Sequence, residues 1–497
     1  MRRMAVHYPW YLACQKLKEN GVTSKTCSKD LMRSLLRLTA LAALFNITAV
    51  VTGCRNTQSF HFTTSGHHML NNGQPFFWLG DTAWLLVRRS PEDVQYYMSD
   101  RSNKGFTIVQ MMAVRVHHKH PTELFGQPMQ NYAGESPFTR LDPVTLNEAY
   151  WDYVDFIIET ARKRGLTIAM ATMWGQDAAS LFPDPMKNNY RYGKLLGERY
   201  KNRDNVIWLV TGEYEKINSN WQADKQVISD EQRALLRAIA RGIEEGHGGR
   251  HVMTIHPVGT SSDDFHHDPW LDFNMQQTWG HQAADVGRIR SDYRLTPVKP
   301  VLNGEPGYEN RPEQPTSSAW KCRYEGYWSV FSGAFGFTYG ADCVWQCGGE
   351  WRNALDYEGA SDMQHLRCLM ESRPMQTLMP DQSMLLSEAG DLHKAPSYRA
   401  VLRSEDGCCA LVYSTMGLPF DVDLSKMSGA AISAWWYSPR DGLVYDEKFQ
   451  QVLVPFATLQ SKGARTFTPP TSGDNQDWVL VLDDEAAGFL IPGMRQK

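Results

Sequence analysis

No charge of either sign dominates this chain. Its 51 Lys and Arg residues stand against 55 Asp and Glu, a net charge of −4, which gives no electrostatic reason to expect a nucleic-acid partner. After position 60 no apolar run is long enough to span a bilayer. The zinc-protease motif H-E-x-x-H is absent. Nine cysteines are present, yet their spacing matches no Cys/His zinc pattern. Cys322, Cys343, Cys347, Cys368, Cys408 and Cys409 read as buried thiols, although an oxidising compartment would permit a bridge. There is no repeat at solenoid period and no low-complexity tract. What remains is a 497-residue chain, 42% hydrophobic and with 16 tryptophans. That is enough for a barrel-sized core, an appended module and a surplus of aromatics for a binding surface.

The N-terminus departs from this pattern. Arg33 and Arg37 precede LTALAALFNITAVVTGC, an apolar stretch ending in small residues and Cys54. Basic, then apolar, then small is the order of a secretory signal. Val51-Thr52-Gly53-Cys54 resembles a bacterial lipobox, with Met32 as the better start of the leader and Cys54 as the lipidated residue. Residues 1–54 are therefore expected to be a leader and lipoprotein-type signal peptide, and a lipid anchor the only membrane contact. RNTQSF after Cys54 lacks the acidic cluster of surface-exported lipoproteins, which favours the periplasmic side of a bacterial envelope.

From about residue 76 to 340, short apolar runs alternate with longer amphipathic stretches. The runs are 76–80, 106–114, 166–174, 206–212, 251–257, 271–277, 300–305 and 334–340. Three intervening segments carry helix signals: SPEDVQYYMSDRSNKG and SDEQRALLRAIARGIEEG begin with serine caps, and LNEAYWDYVDFIIETARKRG ends in basic residues and glycine. Eight buried strands alternating with helices predict a (β/α)₈ TIM barrel over residues 55–380, an open doubly wound sheet being the alternative. After about 380 the texture changes to short strands separated by Gly, Asp, Ser and Pro. That predicts a small antiparallel β-sandwich over 381–497, with 370–385 as the joint.

Two of the runs end alike. NVIWLVTGEYE (205–215) and KPVLNGEPGYEN (299–310) each stop at a glycine and then present a glutamate, Glu213 or Glu305. In a parallel barrel the carboxyl ends of the strands carry the chemistry. Two carboxylates there are the minimum equipment for hydrolysing a glycosidic bond. Glu213 is read as acid/base and Glu305 as nucleophile, with Glu215 and Glu309 ranked below them. The same rim collects candidate substrate ligands: Asp81, Trp84, His117, Trp174, His256, Gln276, Gln277, His281, Tyr308 and Trp345. Amides, imidazoles and carboxylates hydrogen-bond sugar hydroxyls, and indoles cover the C–H faces of a sugar ring. A phosphate ligand would instead call for a Gly-rich loop and basic residues. Each residue has a plainer role open to it: Asp81 as a helix cap, Trp174 and Trp345 as core, His117, His118 and His120 as loop contacts, His266-His267-Asp268 as solvated loop. No metal or other cofactor is called for, the expected partner is a carbohydrate, and oligomeric state is left open.

At these residues the chain resembles the apiosidase-like glycoside hydrolases. The resemblance lies in GQPFFWLGDTAW, DNVIWLVTGE, HPVGTSS, WLDFNMQQTWGH, KPVLNGEPGYE and SGAFGFTYG. It continues into a C-terminal module labelled "collagen-binding domain of a collagenase", whose tryptophan–tyrosine–proline–arginine turn AWWYSPRDG (434–442) resembles. The resemblance implies a (β/α)₈ enzyme acting on complex plant polysaccharide, with its catalytic pair after strands four and seven. Relatives can carry aspartate after the strand-four glycine, whereas Thr211-Gly212-Glu213 presents glutamate, one methylene longer. Apiose specificity is therefore not carried over. Two other readings stay open: a non-catalytic carbohydrate-binding lipoprotein, and a matrix adhesin acting through the C-terminal domain.

Overall fold

A computed structural model describes residues 59–115, 130–175, 177–214, 228–280, 282–311, 318–390 and 397–495. Backbone contacts divide the chain into Met1–Thr57 and Gln58–Lys497, and every described residue belongs to the second unit. Cys54, His117, His118, His120, Gln176, Glu215 and His281 lie outside the described residues.

All eight apolar runs form strands. They are β1 (Trp78–Thr82), β2 (Ile108–Met112), β3 (Thr167–Ala171), β4 (Val206–Leu209), β5 (Met253–Thr254), β6 (Asn274–Gln277), β7 (Val301–Glu305) and β8 (Ala334–Tyr339). They pair in parallel in the order 5-4-3-2-1-8-7-6, with a short antiparallel strand, Gly259–Thr260, beside β6. The curled sheet meets itself at β5 and β6, where the Asp272 N–H donates to the Met253 carbonyl at 2.9 Å and the Thr254 hydroxyl to the Phe273 carbonyl at 2.7 Å. Alternation along each strand explains the continuous apolar runs. Trp78, Ile108, Ala169, Ile207, Met275 and Leu302 fill the barrel, while Leu79, Val109, Ile168, Val206 and Trp208 pack outwards against the helices.

The three predicted helices form at Pro91–Asn103, Glu148–Lys163 and Asp230–His247. Ser90 and Ser229 accept from the backbone N–H groups of Asp93 and Gln232, as the cap signals require, and Gly248 ends the third helix at φ +78°. Among the described residues no helix is long and apolar enough to cross a membrane.

The C-terminal region is antiparallel. Strands Arg399–Ser404, Cys409–Ser414, Trp478–Asp484 and Ala431–Tyr437 are neighbours in one sheet, and Phe420–Asp423 pairs with Ala464–Phe467 in a second. Leu378–Pro380, within the predicted joint, is already paired with Arg399–Ser404. Arg323, fully buried on the helix Ala319–Phe331, ties the barrel to this region through Asp477 at 3.1 Å, and also holds Asp362 at 2.6 Å. The six described cysteines are free, Cys322 and Cys409 buried and the others partly so.

Candidate active site

Glu213 and Glu305 meet because of what surrounds the glycine before each. A Cβ on Gly212 would lie 2.0 Å from Cε3 of Trp174, so the indole rests directly on the end of β4. The Gly212 N–H donates to the Met173 carbonyl at 2.8 Å and the Gly175 N–H to the Glu213 carbonyl at 3.1 Å, lacing the ends of β3 and β4 together. At Gly304 the neighbour is Met275, whose Cε would be 2.0 Å from an added Cβ.

A register shift at Gly304 re-aims the second carboxylate. Gln276 pairs with Asn303, yet Gln277 pairs with Glu305, so β7 carries one residue more than β6 across this step. Simple alternation would put Glu305 on the same side as Asn303, which faces the helix and holds Ser329 at 3.0 Å. The bulge turns Glu305 inward instead. Gln110 in the barrel interior donates to the Gly304 carbonyl at 2.9 Å.

One oxygen of Glu213, one of Glu305 and a ring nitrogen of His256 lie within 4.8 Å of one another. This is the set among the described residues that could hold a metal ion, but Oε1 of each glutamate already accepts a hydrogen bond. Gln277 donates to Glu213 at 2.5 Å, and the Tyr308 hydroxyl donates to Glu305 at 2.6 Å. Nε2 of His256 is 2.6 Å from the other Glu305 oxygen, off the line of an ideal hydrogen bond. The environments differ accordingly. Burial, and then the repulsion of Glu305, push the Glu213 carboxyl above the usual range, against the pull of Gln277, His256 and Arg115. Glu305 has a phenol and an imidazole against its two oxygens.

The wall is aromatic. Trp84 donates to the Tyr308 hydroxyl at 3.2 Å and packs 5.4 Å from Trp174 and 5.1 Å from His256, centroid to centroid. Arg115 lies 5.2 Å over Trp174. Trp345 is partly exposed, 6.3 Å from Tyr308. Of the sequence candidates, Trp84, Trp174, His256, Gln277, Tyr308 and Trp345 thus surround the glutamate pair.

Two candidates are corrected. Asp81 follows Leu79 on the outer face of β1 and is wholly buried. It accepts from Tyr97 at 2.5 Å and has Arg101 at 3.6 Å, so it neither reaches the pocket nor caps the helix. Gln276 is the outward neighbour of Gln277 and donates to Asp292 at 2.7 Å. His266 is buried against Asn274 rather than solvated. Glu309 is held by Tyr339 at 2.6 Å and by the Gly359 N–H. Sequence reasoning passed over Trp279 and Arg311, whose guanidinium lies 4.1 Å over the Trp279 ring beside Tyr308. The available signal was an aromatic beside a glycine, Trp279-Gly280, just beyond the β6 rim; in the structure both residues adopt positive φ.

Residues 64–377 match the family described as "Apiosidase-like, catalytic domain". The chain belongs to the apiosidase-like family. Residues 379–483 match the family described as "Putative collagen-binding domain of a collagenase". The chain is similar to a solved structure titled "Glycoside hydrolase", with 28% identity, TM-score 0.72, and coverage of 86% of this chain and 98% of that one. It is also similar to a glycoside hydrolase family 5 structure from Bacteroides vulgatus ATCC 8482, with 29% identity, TM-score 0.74, and coverage of 88% and 96%. No curated protein matches the chain. As an apiosidase-like family member on the scaffold of those two structures, it is a glycoside hydrolase.

Proposed function

We propose that this glycoside hydrolase cleaves its bond with retention of anomeric configuration, Glu213 serving as acid/base and Glu305 as nucleophile, on a complex, plant-derived glycan. The observation that carries this reading is that one oxygen of Glu213 lies within 4.8 Å of one oxygen of Glu305, an oxygen-to-oxygen approach that favours direct attack over a water seated between them. Retaining enzymes hold the pair about 5–5.5 Å apart, whereas inverting ones need about 6.5–9.5 Å to seat a water. Glu305 attacks the anomeric carbon as the glycosidic C–O bond breaks, and the proton on Glu213 goes to the leaving oxygen. Water then attacks the glycosyl ester, Glu213 takes its proton, and Glu305 leaves as carboxylate. The raised carboxyl of Glu213 suits the first task, and the Tyr308 hydroxyl donating to Glu305 suits the second.

Two glutamates facing one space support turnover over a binding-only role. The adhesin reading needs an exposed aromatic strip on the C-terminal domain, but among its described aromatics only Phe449 is exposed. The leader ending at Cys54 supports an exported, lipid-anchored envelope protein, testable by loss of membrane fractionation in Cys54→Ala.

The test is a screen of pectic and other plant side-chain oligosaccharides with wild type, Glu213→Gln and Glu305→Gln. Loss of hydrolysis in both variants is expected. Retained hydrolysis in either overturns its assignment.

A further inference from the structure

Beneath the pocket rim lies a buried charged pair that the hydrolytic steps do not use. Glu325, on the helix after β7, has no exposed surface, and Lys321 one turn earlier is 5% exposed. Their charged atoms are 3.5 Å apart. The second Glu325 oxygen accepts the Gly307 N–H at 3.0 Å. Gly307 is two residues past Glu305 and one before Tyr308, the residue whose hydroxyl donates to Glu305. On the other side the pair abuts the loop after β6. A Cβ on Gly280 would be 2.6 Å from Nζ of Lys321 and 3.0 Å from Oε1 of Glu325. In that loop the N–H groups of Thr278 and Trp279 donate to the Glu305 carbonyl at 2.9 and 3.2 Å. One buried carboxylate therefore touches both segments that fix Glu305, the loop carrying Tyr308 and the loop carrying Trp279.

Burying an ionisable pair is costly, and a buried ion pair alone is weak evidence of a stabilising role. A buried N–H that loses its acceptor bears the full cost of its desolvation, so the Gly307 amide is held where that acceptor stands. Catalytic side chains keep productive geometry only when their supports are themselves locked. Burial pushes the Glu325 carboxyl up to about 7, opposed by Lys321 and the Gly307 N–H.

We propose that Glu325 is a positioning residue for the glycosidase site, acting through the Gly307 backbone to hold the Tyr308 hydroxyl on Glu305. This rests on the assignment of Glu305 as nucleophile, and two readouts keep the ideas separable. The first needs no substrate: hydrogen exchange, followed by mass spectrometry, of the peptide containing Gly307 in the full chain. Wild type and Glu325→Gln, which keeps an acceptor, are expected to protect that amide, and Glu325→Met to lose the protection. Unchanged protection in Glu325→Met overturns the proposal, whatever the enzyme hydrolyses.

The second readout is kinetic. Glu325→Met is expected to lower kcat by about ten- to a hundredfold with KM within about threefold, the loss expected when a catalytic group is misplaced. Glu325→Gln is expected to stay within about threefold of wild type, because an acceptor for the Gly307 N–H is retained. If Glu325 acts through Tyr308, the double variant with Tyr308→Phe is no slower than the slower single variant, since residues acting as one unit are not additive. Multiplied losses in the double variant overturn the proposal. Should Glu325→Met not fold because Lys321 is stranded, Lys321→Met/Glu325→Met removes both charges and is read in the same way: lost protection of the Gly307 amide supports the positioning role, and unchanged protection overturns it.

Discussion

Replacing Gly212 by alanine tests whether the glycine before Glu213 is there for steric reasons. The added Cβ would sit 2.0, 2.2 and 2.7 Å from Cε3, Cζ3 and Cδ2 of Trp174. Ordinary carbon–carbon contact is about 3.5–4.0 Å, so ring and strand end must part by about 1.5 Å. The indole has little room to yield, with Trp84 5.4 Å, His256 6.1 Å and Arg115 5.2 Å from it. The displacement therefore falls on the β4 end, and Glu213 is the next residue. A shift of about 1 Å at a catalytic group costs about a hundredfold in rate, and overpacking a tight site costs about 1–3 kcal/mol of stability. Gly212→Ala is expected to fold, to melt a few degrees lower, and to lose about a hundredfold in kcat on a cleaved oligosaccharide. Removing the obstruction in Gly212→Ala/Trp174→Ala should restore part of that loss. A Gly212→Ala enzyme within about threefold of wild type would refute the steric explanation. Gly304→Ala offers a contrast, since its added Cβ lies nearest the terminal methyl of Met275, at 2.0 Å, with Cγ at 2.8 Å; an unbranched side chain can turn further than an indole, and a smaller loss is expected there.

Three further outcomes can be checked. Gln277→Leu removes a donor that favours ionised Glu213; the carboxyl rises further, and the alkaline limb of kcat against pH, measured with buffered initial rates, moves to higher pH. The raised Glu213 carboxyl means that folding takes up a proton, so stability falls as pH rises from the unfolded value of that group through its folded one. Glu213→Gln should therefore melt higher than wild type near neutral pH, with the gap closing as pH drops; a gap that widens on acidification contradicts the direction. Arg323→Met leaves buried Asp362 without its cation, and Asp477 with Arg440 and Tyr413 alone, and should cost about 3 kcal/mol in denaturant unfolding; a loss below about 1 kcal/mol would show that the network does not hold the barrel to the C-terminal region.

The strands were legible because a strand buried on both faces cannot hide its apolar run, and Glu213 and Glu305 because each run stops at a glycine. Which neighbour faces the pocket was less legible. Asp81 and Gln276 sit at the rim beside inward residues, and one step along a strand turns a side chain to the other face. Glu305 faces inward only through the register shift at Gly304, a feature of pairing between strands that a single segment does not announce. Trp279 and Arg311 come from loops beyond the strand ends and Glu325 lies on a helix beneath the site, where the spacing of apolar residues carries no information about the pocket.

The retaining assignment has a direct measurement. Proton NMR of the first sugar released, recorded before mutarotation, reports the anomer formed. With one oxygen of each carboxyl within 4.8 Å of the other, the product should carry the configuration of the bond that was cut. An inverted product would contradict the assignment of Glu305 as nucleophile and require a water between the two glutamates.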